Sequence, residues 1–209
     1  MREGLKILGV DPGSRLTGYG CIQVLGRQLL AVEHGTLKLA KTSGKQEVPL
    51  EKRLMDLFLG LNDVIDRLKP QVLAVERVFF AKNAVSSLKL GQARGVVLVC
   101  GALKGLEVVE YSPTEVKRAV TGGGAAQKDQ VARVLEMILG RQEFKTSDSS
   151  DALALAVCHA LRGMMVSGAL GAAPLSRRTS KTSSSLVASL GLTPDLVGDR
   201  RRVDFSKKS

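Results

Sequence analysis

Apolar residues between positions 5 and 40 come in short runs separated by turn residues, a pattern typical of consecutive β-strands. Gly26 and Arg27 lie between the second run and the third. The pattern therefore predicts three strands, within the segments LKILGVD, TGYGCIQVLG and LLAVEHGTLKLA.

The hydrophobic period then becomes that of an amphipathic helix. From Val48 to Lys69 apolar residues recur every three or four positions, and Pro70 ends the pattern. The following segment, QVLAVE, is almost continuously apolar. Such a run is typical of a central strand that is covered on both faces.

Helices and strands alternate through the rest of the folded part. The pattern predicts a long helix over residues 82–105 and a short strand in LEVVEY. Ser112, Pro113 and Glu115 then form a capping signature at the start of the next helix. Two more helices are predicted in KDQVARVLEMILG and SDSSDALALAVCHALRGMM. Strands first and alternation afterwards indicate an α/β fold, a mixed sheet with helices on both faces.

The composition changes near residue 167. Residues 167–209 are rich in Ser, Gly, Thr and Pro, and they carry +5 of the net charge of +11. We therefore expect a folded domain over residues 1–166 and a disordered basic tail over residues 167–209. The tail either adds nonspecific contacts to nucleic acid or serves only as a solubilising extension, and the sequence favours neither role.

Charge and cysteine content limit the class of protein. Lys and Arg number 31 against 20 Asp and Glu, an excess that points to a polyanionic partner. Cys21, Cys100 and Cys158 lie far apart in apolar runs, as reduced core thiols of cytosolic proteins do. No signal core or membrane-length apolar run is visible. The sequence predicts a cytoplasmic protein without a membrane partner.

The segment GVDPGSRLTGYG places Asp11 at the end of the first apolar run, directly before Pro-Gly. Asp-Pro-Gly is favourable turn chemistry, because proline fixes one backbone dihedral and glycine tolerates the others. An alternative is that Asp11 holds a metal ion or a phosphate group. Taken alone, the segment favours the turn.

Three other acids change this interpretation. Glu76 ends the strand QVLAVE in the same manner, and Asp148 and Asp151 share one face at the start of the last predicted helix. Each has a structural explanation as a cap, a helix-dipole partner or an ion-pair partner. Together, four converging acids would repel one another unless divalent cations such as Mg²⁺ or Mn²⁺ bind between them. Two such ions, roughly 3.5–4 Å apart, are typical of phosphodiester cleavage.

Five segments together resemble the RuvC family of bacterial Holliday-junction resolvases, which have the ribonuclease H-like fold. They span Leu5 to about Met165 in the family's order and with similar spacing: GVDPGSRLTGYG, AVERVFFAKNAVSSLKLGQARGV, EVKRAV, QKDQV and SDSSDALALAVCHA. The resemblance implies a mixed five-stranded sheet with helices on both faces. It also implies a structure-selective endonuclease that acts on four-way DNA junctions in homologous recombination and repair. The tail lies outside the resemblance.

The resemblance further assigns residues to catalysis. It implies two Mg²⁺ ions per site, with Mn²⁺ as a substitute, bound by Asp11, Glu76, Asp148 and Asp151. It also places two lysines, Lys117 and Lys128, near the scissile phosphate, where an ammonium group would neutralise developing charge. From the residues alone, both lysines would be solvated helix residues.

DNA contacts are a second assignment of the resemblance. They fall on the same two lysines and on Phe79, Lys82 and Asn83. Phe79 would stack on unpaired bases at the junction centre, a contact worth about 1–3 kcal/mol per base. From the residues alone, Phe79 and Phe80 would be ordinary core residues.

Gly91 and Gly95 lie four residues apart in the long predicted helix. Each interior glycine costs up to about 1 kcal/mol relative to alanine, so close packing should offset the loss. That packing is either against the protein's own sheet or, as the resemblance implies, within a homodimer. A two-fold dimer suits a four-way junction, which is itself nearly two-fold symmetric. The resemblance adds RuvA and RuvB, the branch-migration complex, as partners.

Two other classes of function compete with this prediction. In an actin-like ATPase domain an Asp-x-Gly turn cradles phosphates, but a second similar domain is needed, and we expect the chain to be too short for it. In a noncatalytic junction-binding dimer the four acids would serve only as caps and ion-pair partners. His159 is predicted to be a polar residue at a helix end and not a ligand.

Overall fold

The computed structural model describes residues 4–39, 48–77, 84–144 and 146–169. All the predicted strands and helices are present in the predicted order. Their bounds are β1 Leu5–Asp11, β2 Leu16–Leu25, β3 Gln28–Lys38, α1 Leu50–Leu68, β4 Val72–Glu76, α2 Ala84–Leu103, β5 Glu107–Tyr111, α3 Pro113–Thr121, α4 Lys128–Leu139 and α5 Ser147–Ala169.

The strands form one mixed sheet in the order β3-β2-β1-β4-β5. β1, β2 and β3 form an antiparallel meander, whereas β4 is parallel to β1 and β5 is parallel to β4. β4 therefore has a neighbour on each side, as its continuous apolar run predicts. The α/β class and the mixed five-stranded sheet are confirmed.

Alternation along the strands divides the core into two layers. In β1, Ile7 packs with α3, α4 and α5, whereas Leu8 packs with α1 and α2. In β4, Val72 and Leu73 divide in the same way. Since successive strand residues point to opposite faces, α3, α4 and α5 cover one face of the sheet and α1 and α2 cover the other.

The predicted cap of α3 has the expected geometry. The Glu115 backbone N–H donates to Ser112 Oγ at 3.3 Å, and the Ser112 backbone N–H donates to Glu115 Oε2 at 2.9 Å. Pro113 occupies the start of the helix, and Gly122 ends it with a left-handed φ of 80°. Both ends of α3 are thus defined by local sequence.

The glycines of α2 do not share one role. Gly101 packs on the sheet, because an added Cβ would lie 2.6 Å from Leu73 Cδ2 and 2.8 Å from Val108 Cγ2. At Gly91 and Gly95 an added Cβ would meet nothing within 4 Å. Packing on the protein's own sheet therefore explains Gly101 and is wrong for Gly91 and Gly95.

The three cysteines are buried and unpaired, as predicted. α5 continues to Ala169, past the predicted boundary at residue 166. Residues 170–209 lie outside the described residues, so the basic tail stays a prediction. Among the helices that the structure describes, none combines the length and the apolar character needed to cross a membrane.

Candidate active site

Asp11 and Glu76 lie at the same edge of the sheet. They end β1 and β4, two parallel neighbours in which Val10 pairs with Val75. Asp11 is four positions beyond Ile7, and Glu76 is four positions beyond Val72. Because strand side chains alternate, both acids lie on the face that α5 covers.

The turn that follows Asp11 has its own supports. Thr17 Oγ1 donates to the Gly13 carbonyl at 3.1 Å, and the Gly13 N–H lies 3.2 Å from the same hydroxyl. The buried Arg53 donates through Nη1 to the Ser14 carbonyl at 3.0 Å. The segment therefore forms the predicted turn and also presents an acid, so the two interpretations of Asp11 are compatible.

The other two acids lie at the start of α5. Asp148 and Asp151 lie three residues apart in its first turns, on one helical face. Residues 152–158 of the same helix are fully buried, several of them against the sheet. Burial of that segment fixes the start of α5 over the ends of β1 and β4.

All four acids and both lysines line one cleft of about 240 Å³. Its lining is Asp11, Glu76, Pro113, Val116, Lys117, Lys128, Val131, Asp148, Asp151, Ala154 and Leu155. A larger open hollow of about 570 Å³ lies between the end of α3 and α4, and no acidic side chain lines it in the described part of the chain. Residues from five separate elements thus meet in the smaller cleft.

Electrostatics in the cleft oppose full ionisation of the acids. Burial is the main cause that raises the pKa of Asp11 to about 8, and the nearby carboxylates of Glu76, Asp151 and Asp148 raise it further. Burial also raises the pKa of Glu76, although its hydrogen bond with Asp11 acts in the opposite direction. A pair of carboxyl groups that share a proton is the expected result of crowding these negative charges.

Lys128 is one cation in this cluster. Its Nζ donates to Asp151 Oδ2 at 2.9 Å, and this hydrogen bond raises the pKa of the lysine. Lys117, on α3, lines the same cleft. Both lysines are thus helix residues that line the cleft of the acids, and the Lys128 side chain is 72% exposed; their roles near a scissile phosphate stay predictions.

The family model described as crossover junction endodeoxyribonuclease RuvC matches residues 7–159. This chain belongs to the RuvC family. RuvC of Geobacter sulfurreducens is 46% identical over 163 residues, which cover 78% of this chain and 96% of the relative. RuvC of Geotalea uraniireducens is 45% identical over 165 residues, covering 77% of this chain and 94% of the relative.

Solved structures agree with this family assignment. Thermus thermophilus RuvC in complex with Holliday junction substrate superimposes with a TM-score of 0.70 at 33% identity, covering 78% of this chain and 96% of that one. The yeast mitochondrial Holliday junction resolvase Ydc2 gives 0.57 at 16% identity, covering 75% and 78%, and supports the fold alone. The expected ribonuclease H-like fold is confirmed.

The donor set of this RuvC family member suits a hard divalent cation. Its potential ligands are carboxylate oxygens, which Mg²⁺ and Mn²⁺ prefer. Within the described residues, no group of three or more acidic, histidine or cysteine side chains is arranged so that it could already hold a metal ion. The Asp11–Glu76 hydrogen bond and the Lys128–Asp151 contact occupy some of these oxygens. The kinds of donor fit such an ion, and the side chains would have to rearrange to bind it.

A polar cluster that the sequence pattern does not predict joins the end of β5 and the start of α3 to α5. The Tyr111 hydroxyl and His159 Nδ1 are 2.8 Å apart, and Arg162 Nη1 donates to Glu115 Oε1 at 2.8 Å. Arg162 also lies over the Tyr111 ring, 5.3 Å from its centroid. His159 is in the middle of α5, so its predicted place at a helix end is wrong. The contacts hold the helix that carries Lys117, and no local pattern signals them.

Three of the predicted DNA contacts lie elsewhere in the chain. Phe79, Lys82 and Asn83 fall within residues 78–83, outside the described residues, and Phe80 lies there with them. Their roles stay predictions.

Proposed function

We propose that this protein is a structure-selective endonuclease that resolves four-way DNA junctions by paired symmetric nicks in homologous recombination and repair. The observation that carries the proposal is the cleft in which Asp11, Glu76, Asp148 and Asp151 meet two lysines. Family membership supports it, since the curated relatives are named crossover junction endodeoxyribonucleases and the Thermus relative is in complex with a Holliday junction.

The four acids would hold two Mg²⁺ ions, or Mn²⁺ in their place. When bound, such ions supply an activated water and stabilise the departing 3′ oxygen, which leaves 5′-phosphate and 3′-hydroxyl ends. The raised pKa of Asp11 supports this assignment: burial is its main cause and repulsion from the nearby carboxylates adds to it, and a bound cation would offset both.

The lysines have a separate task in this proposal. The Lys128 side chain is 72% exposed and forms an ion pair with Asp151, so we expect its ammonium to move from Asp151 to a DNA phosphate when the junction binds. Lys117 faces the same cleft from α3. Both ammonium groups would neutralise the charge that develops on the phosphoryl oxygens during hydrolysis.

DNA binding would depend mainly on the backbone of the junction. The net charge of +11 supports many phosphate contacts, which position DNA without recognising its sequence. We assign Lys117, Lys128, Lys82 and Asn83 to such contacts and Phe79 to base stacking.

A homodimer would supply two cleavage sites for the two opposed strands. Its support is the outer side of α2, where Val85, Leu88, Val99 and Leu103 are 51–65% exposed. Gly91 and Gly95 lie on the same side with open space above them, at about 100° per residue along the helix. These exposed apolar side chains, with the two glycines between them, form a stripe against which the same helix of a second copy could pack closely. RuvA and RuvB remain the expected partner complex.

The test is a synthetic four-way junction incubated with and without Mg²⁺, beside a linear duplex of matching sequence. We expect symmetric nicks that are confined to the junction and depend on the cation. Asp11→Asn and Glu76→Gln should abolish cutting and leave junction binding intact, whereas Glu136→Gln, an exposed change on α4, should cut normally. Salt must be constant, because phosphate contacts weaken steeply as it rises. Full cutting by both acid variants would contradict the roles assigned to Asp11 and Glu76, whereas junction binding by the wild type without any cutting would favour a noncatalytic junction-binding dimer.

A further inference from the structure

We propose that Gly18 is a positioning residue for the acidic cleft, because only a residue without a side chain lets Asp148 lie beside Asp11. The inference rests on the proposed function for the roles of these two acids. It concerns β2, which contributes no acid or lysine to the cleft.

The backbone of α5 occupies the place where a side chain at position 18 would be. An added Cβ would lie 2.0 Å from the carbonyl oxygen of Asp148, 2.4 Å from its carbonyl carbon and 3.0 Å from its Cβ. Two of these atoms are backbone atoms of the helix, so they cannot rotate away. A methyl group at position 18 must therefore displace Asp148 itself.

Gly18 is also the ladder partner of the other acid. In the antiparallel pair of β1 and β2, Asp11 lies directly opposite Gly18. The same residue thus touches the backbone of one acid and is paired with the second. Its lack of a side chain sets how closely Asp148 approaches Asp11.

Two other glycines let α5 approach the sheet but contact no acid of the cleft. An added Cβ at Gly9 would lie 1.9 Å from the Ala152 oxygen, and one at Gly20 would lie 2.8 Å from Leu153 Cα. Interior glycines weaken strands, so close approach of the helix accounts for all three. Among Gly9, Gly18 and Gly20, Gly18 is the one below Asp148, and Gly20 is its matched control.

A hydroxyl contact holds the start of α5 from the other side of Gly18. Thr36 of β3 is the ladder partner of Gly18, and its Oγ1 lies 2.5 Å from Thr146 Oγ1. The Thr146 carbonyl in turn accepts a hydrogen bond from Ser149 Oγ at 2.8 Å. Gly18 therefore allows the close approach of α5, and the Thr36–Thr146 contact maintains it.

The experiment compares Gly18→Ala with Gly20→Ala in the full chain. Mn²⁺ binding is measured by calorimetry, junction cleavage is measured over a Mn²⁺ series, and melting temperature is measured for both variants. Changes to groups that orient metal ligands weaken binding roughly 10- to 100-fold. We expect a loss of this size in Gly18→Ala, with cleavage partly restored at high Mn²⁺. Gly20→Ala should melt at a lower temperature and lose much less Mn²⁺ affinity than Gly18→Ala, since its methyl group meets Leu153 and not a cleft acid.

Equal Mn²⁺ affinity in the two glycine variants would overturn the proposal. If Gly18→Ala does not fold, Thr36→Val replaces it, and there a several-fold loss of Mn²⁺ affinity is expected, whereas unchanged affinity overturns the proposal. Asp148→Asn separates this result from the proposed function. Wild-type Mn²⁺ binding and cleavage in Asp148→Asn would contradict the proposed function itself, whatever the glycine variants do.

Discussion

α5 and α2 cover opposite faces of the same sheet, and both carry small residues where larger apolar ones are usual. In α5, Ala152 and Ala156 are fully buried, and their backbone lies directly against Gly9. In α2, Gly91 and Gly95 point away from the sheet into open space. The small residues of α5 allow it to pack close to the sheet, whereas the glycines of α2 leave a shallow depression on its exposed side.

The two helices therefore have different roles in our proposal: α5 places the acids of the cleft, and α2 provides the dimer surface. Close packing of α5 fixes its first turns over the strand ends, where the acids need accurate placement. The outer side of α2 carries exposed apolar side chains instead, among them Leu88, Val99 and Leu103, and it is the surface that we assign to a second chain. One face of the sheet thus builds the cleft, and the other supports the proposed dimer.

The largest expected effect comes from the α5 side. Asp151→Asn should reduce junction cleavage by roughly 10²–10³-fold or more, because a proposed metal ligand and the partner of Lys128 are lost. Gel-based assays measure junction cleavage, and electrophoretic mobility shifts measure junction affinity. Junction affinity and dimerisation should stay at wild-type values, and a parallel loss of dimer would break the division between the two helices.

The next effect concerns stability. Gly9→Ala should lower the free energy of unfolding by about 3 kcal/mol, since its methyl group collides with backbone that cannot move aside. Gly91→Ala should instead raise it by about 0.5–1 kcal/mol through helix propensity. Urea unfolding at a concentration where the chain is monomeric compares the two. Equal destabilisation by both changes would contradict the environments described above, in which Gly9 packs against α5 and Gly91 faces open space.

A smaller change is expected at the α2 surface. Gly95→Glu should raise the dimer dissociation constant by roughly tenfold or more, because it inserts a charged side chain into the low centre of the apolar stripe. Light scattering across a dilution series gives the dissociation constant. Met137→Glu, at an 84% exposed position on α4, serves as the control and should leave it unchanged.

The smallest effect is a pH dependence at the α3–α5 contact. Hydrogen bonds from Ser112 and Arg162 lower the pKa of Glu115 to about 2. Its stabilising effect is therefore fully present above the ordinary pKa of 4.5 and is lost as the pH falls towards 2. Glu115→Gln should melt below the wild type at pH 7, and the difference should shrink between pH 4.5 and pH 2. A constant difference across this range would show that ionisation of Glu115 does not matter.

Much of the architecture follows from short-range pattern. Short apolar runs separated by turn residues identified β1 to β3, helical spacing identified α1, and the signature at Ser112 identified the start of α3. The positions of Asp11 and Glu76 at the ends of their strands follow in the same way. These properties depend on residues a few positions apart, so the sequence determines them before the chain folds. That the two acids share one edge depends in addition on the parallel pairing of β1 and β4.

Other properties required the tertiary structure. No period joins Lys128 to Asp151 or Arg162 to Glu115, which are far apart in the chain. Nor does helical spacing tell whether Gly91 faces the sheet or the outside. Such properties depend on which surfaces meet, and that is decided by the packing of whole helices on the sheet. The sequence by itself therefore determined the elements and the kinds of chemical group, and the fold decided which groups share a cleft.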